Sequence, residues 1–198
     1  MDIFLDTEFV GFESLEPLSI AFYPIDTDLQ SAYFELDIDN ADLTPLTEDN
    51  RNFMINEVLP QLNVADSLKA LTESGVQVCR GTPSQLMSQI FNYLERCSQV
   101  AAKQKKKVWL VSDYQGDFEV LNKFVDQELL NTLWIRQIMI KQVVPENWRA
   151  EAAYVRCQSA LFAEGLELTS TVKLQRHHAY FDAFVMCESY KQALLHAF

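Results

Sequence analysis

Ile3-Phe4-Leu5-Asp6-Thr7-Glu8-Phe9 begins as a short apolar run and carries two carboxylates two residues apart. An extended strand sends alternate side chains to opposite faces, so Asp6 and Glu8 project from the same face. The pattern predicts a buried first strand with a pair of mutually repelling acids at its end. Sharing a divalent cation relieves such repulsion. Two acids on a solvated strand end is the plain alternative, and this stretch by itself leaves both open.

Outward from it, Leu18-Ser19-Ile20-Ala21-Phe22-Tyr23 and Ala32-Tyr33-Phe34-Glu35-Leu36 are apolar runs separated by Gly, Pro and Asp, which predicts a three-stranded meander. Residues 40–75 turn polar, with Pro45 and Pro60, and suit a loop with one short helix over 51–58. Thr82-Pro83 is an N-cap signal, and Leu86, Ile90, Phe91 and Leu94 recur at helical spacing, predicting a helix over 83–100. Val108-Trp109-Leu110-Val111 suits a buried strand. A second helix should start near Asp117 with Val120, Leu121, Phe124 and Val125 inward. A strand over 134–140, a helix over 150–164 stopped by Gly165, and a last helix over 179–197 complete the pattern. Strands first and helices interleaved afterwards point to an α/β fold, a mixed sheet with helices on its faces.

At 198 residues the expectation is one domain, 1–198, with a sizeable core. A net charge of -12 argues against a sequence-independent grip on long duplex DNA, and a short or single-stranded substrate fits better. Neither a basic leader nor a long apolar stretch is present, so the expected location is cytoplasmic, with no membrane partner. The four cysteines form no CxxC pair and have no zinc-type spacing with the three histidines, which suits reduced, buried thiols. Lys103, Lys105, Lys106 and Lys107 form a basic turn before a strand, either solvated or drawing in a nucleic-acid strand.

Two further groups matter. His177 and Asp182 are five apart, which at about 100° per residue puts them roughly 140° apart on a continuous helix. They converge only if His177 precedes the helix. Asp117 begins an apolar helical pattern, and Gly116 before it permits a close backbone approach to a substrate. Asp113 competes with it and suits a strand end or turn. Asp26/Asp28, Glu35/Asp37 and Asp37/Asp39 are decoys of a kind common in an acidic chain.

Taken in order, Asp6-x-Glu8, Asp117 and His177-x-x-x-x-Asp182 resemble the DEDDh 3′-to-5′ exonucleases, the superfamily with an RNase H-like fold that includes RNase T, oligoribonuclease and polymerase proofreading subunits. The stretches Phe4-Leu5-Asp6-Thr7-Glu8-Phe9, Leu18-Ser19-Ile20-Ala21, Val58-Leu59-Pro60-Gln61-Leu62 and His177-His178-Ala179-Tyr180-Phe181-Asp182-Ala183 look closest to small single-domain bacterial and phage exoribonucleases. The resemblance spans residues 3–186, with little contribution from 125–170.

The resemblance implies two divalent cations, magnesium or manganese. Asp6, Glu8 and Asp182 would hold one ion; Asp6 would also touch the second, which Asp117 holds directly or through water. It implies His177 as general base, Thr7 and Phe9 against the terminal sugar and base, and His178 as a bystander. The expected reaction releases nucleoside 5′-monophosphates from single-stranded 3′ ends, RNA preferred over DNA. A DNA exonuclease and a catalytically silent nucleic-acid-binding adaptor are the alternatives. Many relatives pair into dimers; the aromatic last helix serves such an interface or packs on its own sheet.

Overall fold

The computed structural model describes residues 1–11, 15–37, 46–62 and 64–197. Pro45 of the polar loop and Asp39 of the third decoy pair lie outside them. The meander forms as expected from β1 (Asp2–Val10), β2 (Glu16–Pro24) and β3 (Ala32–Leu36), paired antiparallel. β4 (Gln77–Gly81) adds parallel to β3 at one edge. β5 (Val108–Ser112) adds parallel to β1, and β6 (Ile135–Met139) parallel to β5, giving the order β4-β3-β2-β1-β5-β6. This is the mixed sheet of an RNase H-like α/β arrangement. A short β7–β8 ribbon, Leu166–Glu167 with Lys173–Leu174, stands apart.

Helices cover both faces. On one lie α3 (Pro83–Lys103) and α4 (Gln115–Phe124), against Ile3, Leu5, Ile20, Phe22 and Phe34. α3 starts with a Thr82/Gln85 capping box and Pro83 at its first position, and it buries Leu86, Ile90, Tyr93, Leu94, Cys97 and Ala101. Each fully buried aliphatic or aromatic side chain contributes about 1.5–3 kcal/mol, so this one stripe anchors the helix far more firmly than propensity does.

On the other face α6 (Trp148–Glu164) packs on α7 (Ala179–Leu195), which packs on β1 and β2. α7 is enclosed, with ten of its seventeen residues buried. Its aromatic residues Phe181 and Tyr190 are turned inward, so the last helix packs on its own sheet.

Residues 48–61 form α1 (Glu48–Phe53), a π-helical turn (Met54–Val58) and a 3-10 turn (Leu59–Gln61). Two helices escaped the sequence reading, α2 (Ala65–Glu73) and α5 (Gln127–Thr132). Among the described residues no helix is long and apolar enough to cross a membrane. Cys97 and Cys187 are buried and Cys79 and Cys157 half-buried, and all four are free thiols.

Candidate metal centre

β1 and β5 run together only as far as Phe4 and Val111; beyond that the β5 chain turns away while β1 continues. The divergence opens a crevice beside Asp6 and Glu8, at the carboxyl end of β5, where open α/β sheets bind ligands. At Glu8 the register to β2 slips, with Glu8 opposite Ser19 and Phe9 opposite Pro17. A bulge of this kind re-aims side chains next to a site.

α4 brings in Asp117 from the first turn. Thr7, on the opposite face of β1 from Asp6, donates its hydroxyl to Asp117 Oδ1 at 2.7 Å, and Ser112 at the end of β5 donates to Oδ2. Both oxygens of a buried carboxylate are thereby fixed. Gly116 also meets a local steric need. A Cβ there would sit 2.2 Å from Tyr114 Cε1, so the glycine makes room for the Tyr114 ring, which stacks on Phe9 at 6.1 Å and 15°.

α7 contributes the last pair. His177 lies before the helix in the left-handed region, φ 68°, and its backbone N–H donates to Asp182 Oδ2 at 3.1 Å. That left-handed turn is how two residues five apart converge. His178 is the N-cap position of α7; it is buried, stacked on Tyr33 at 4.7 Å, and faces the core.

These elements assemble two groups of donors. One oxygen each from Asp6, Asp113 and Asp117 lie within 4.8 Å of one another, as do a Glu8 oxygen, a His177 ring nitrogen and an Asp182 oxygen. All five residues named from the sequence as ligands or base therefore meet at one place. Asp113 joins them: it does occupy the expected turn after β5, yet its carboxylate reaches Asp6 and Asp117.

The electrostatics are those of anions crowded together and short of solvent. Burial, then Asp117 and Asp182, push the Asp6 carboxyl well above the usual range, and burial with Asp182 and Asp117 does the same to Glu8. Asp117 and Asp182 are raised to about 7 by burial, against the lowering effect of their hydrogen bonds. Burial and the neighbouring Arg176 lower His177, so its neutral form is favoured. Asp182 Oδ1 is buried with no hydrogen-bond partner. A set of carboxylate oxygens with one imidazole, one of those oxygens bare, fits a hard divalent cation such as magnesium or manganese.

The cluster lies between two cavities. One, of about 330 Å³, is walled by Phe9, Phe53, Met54, Val58 and Tyr114, with Thr7 on its border. Phe53 meets the His177 ring edge to face at 5.0 Å. The other, of about 340 Å³, is more polar and is lined by Asp113, Gln158, Phe162 and Arg176. Asp6, His177, Asp182 and Arg176 border both.

Arg176 was missed from the sequence. Its guanidinium rests on the Phe162 ring at 5.1 Å, and it makes no ion pair among the described residues. The available signal was its place directly before His177. Comparison with family models, with curated proteins and with solved structures returned no match.

Proposed function

We propose that this chain is a metal-dependent 3′-to-5′ exonuclease that releases nucleoside 5′-monophosphates from single strands, with RNA preferred. The observation that carries the reading is the meeting of Asp6, Glu8, Asp113, Asp117, His177 and Asp182 between an aromatic cavity and a polar one. The base of a terminal nucleoside presents a flat, largely apolar face, and that face suits the side walled by Phe9 and Tyr114. The adjoining phosphate then lies against the carboxylate cluster, and Arg176 offers a cation to the next phosphate in the polar cavity.

Divalent cations, when bound, supply Lewis-acid stabilisation of charge on the phosphoryl, attacking and leaving oxygens. The chain's own groups do the rest. Asp6, Glu8, Asp117 and Asp182 would hold the cations, and Thr7 and Ser112 orient Asp117. His177, kept neutral by burial and Arg176, accepts the proton of the attacking water at a ring nitrogen.

The test is release of 5′-mononucleotide from single-stranded RNA with manganese, comparing the wild-type chain with Asp6→Ala and His177→Ala. Loss in both variants supports the site. A matched DNA strand degraded faster than RNA would move the substrate to DNA; binding without release from either would make the chain a silent adaptor.

A further inference from the structure

Four of the sixteen Lys and Arg residues fall within residues 103–107 of a chain with net charge -12, and the catalytic reading leaves them unused. In the fold Lys105, Lys106 and Lys107 line a third concavity of about 410 Å³, between the end of α3 and the end of α5, remote from the carboxylates. Its lining is apolar at Ala101, Val108 and Leu133, and Trp134, 66% exposed, lines it too. Lys106 leans on Asp26 at 4.0 Å, whereas Lys103, Lys105 and Lys107 make no ion pair among the described residues.

The helix ends explain part of this arrangement. A cation in the last turn of α3 is favoured by the carbonyl end of the helix, which accounts for Lys103. Lys105 and Lys107 lie beyond that turn. Lys105 (φ 56°) and Trp134 (φ 58°) are both left-handed residues just past a helix end, where glycine is usual. Both positions carry long side chains instead, and both line the same pocket.

We propose that this pocket is a distal binding site for a single-stranded nucleic acid, with phosphates on Lys105 and Lys107 and one base stacked on Trp134. The proposal rests on the nuclease reading for its choice of ligand. An acidic peptide would satisfy the ammonium groups alone. Ammonium groups beside an exposed indole match a ligand that alternates phosphates with flat bases. The pocket lies at the opposite end of β5 from Asp113, so the five residues of the strand separate it from the metal centre by roughly 16 Å. β5 is buried in the sheet and a strand must pass round the outside, so at about 3.4 Å per phosphate of a stacked strand roughly five nucleotides is the least that spans the distance. The site therefore grips the upstream part of a longer strand and is out of reach of a dinucleotide held at the centre.

The experiment is anisotropy of a labelled single strand about ten nucleotides long, with calcium replacing manganese, titrated with NaCl. Wild type, the double variant Lys105→Gln/Lys107→Gln, and Trp134→Ala are compared. The slope of log affinity on log salt should fall by about 1.4 in the double variant, at ~0.7 for each phosphate no longer neutralised. Trp134→Ala should weaken binding about tenfold, the order of one base–aromatic stack removed. Hydrolysis of a dinucleotide with manganese should be the same in all three proteins. Unchanged slope and affinity in the variants would overturn the proposal. Polyglutamate displacing the strand equally well from wild type and Trp134→Ala would overturn it too, in favour of an acidic protein partner. Changed slopes with no hydrolysis of any substrate would sink the nuclease reading and leave the distal site standing.

Discussion

Thr7 Oγ1 donates to Asp117 Oδ1 at 2.7 Å, a bond across 110 residues of sequence between the first strand and the helix that follows β5. It ties the middle carboxylate to the strand that carries Asp6 and Glu8. Groups that orient a metal ligand typically change affinity by about 10–100-fold when removed. Thr7→Val should lower manganese affinity by about tenfold in calorimetry, with little change in secondary structure by circular dichroism. Thr7→Ser, which keeps the hydroxyl, should restore it.

The buried acids set a pH dependence of stability. Asp6, Glu8, Asp117 and Asp182 all have folded-state pKa values above their ordinary ones, the last two at about 7. The folded chain therefore binds protons more tightly than the unfolded chain, and this contribution is fully present below about pH 4 and lost as pH rises towards 7. Over that window the metal-free protein should lose stability relative to the average of its surface groups. Manganese should give a gain in Tm that grows with pH. A gain that is flat or largest near pH 4 would count against the carboxylates as its site.

His177 should govern the acid limb of the rate profile. Its pKa is lowered, so the limb belongs below the ordinary histidine value of about 6.5. His177→Ala should lose about 10²–10⁴-fold in kcat. An unaltered limb in a partly active His177 variant would remove it from the role of base.

Arg176 should act on substrate binding. It borders both cavities and, among the described residues, carries the one guanidinium against the cluster. Arg176→Ala should raise KM by about tenfold on a strand with a phosphate upstream of the bond cleaved, and by less on a dinucleotide without one, since a charged hydrogen bond is worth about 1.5–3 kcal/mol. An equal rise for both substrates would assign Arg176 a merely structural part.

What the sequence disclosed depended on periodicity. Asp6 and Glu8 could be paired because a strand repeats every two residues, and α3 could be bounded because its cap and its stripe agree. β4 was invisible because Gln77-Val78-Cys79-Arg80-Gly81 sits at a sheet edge and carries no buried alternation. α5 buries only Leu130, too little for a helical stripe to show. Asp113 was set aside for lying in a turn, and the turn is what swings it towards Asp6. Its contribution depends on β1 and β5 diverging, a tertiary relation no local pattern carries. Arg176 has the same history, since its neighbours Phe162 and Gln158 come from α6.

The two cavities on either side of the carboxylates bear on traffic through the site. With a single mouth, each spent nucleotide would have to back out past the strand that produced it. Here an aromatic cavity and a polar one are bordered by the same few residues. In the proposed reaction the spent nucleoside lies in the first cavity and the remaining strand in the second, so the two do not compete for the same space at the moment of cleavage.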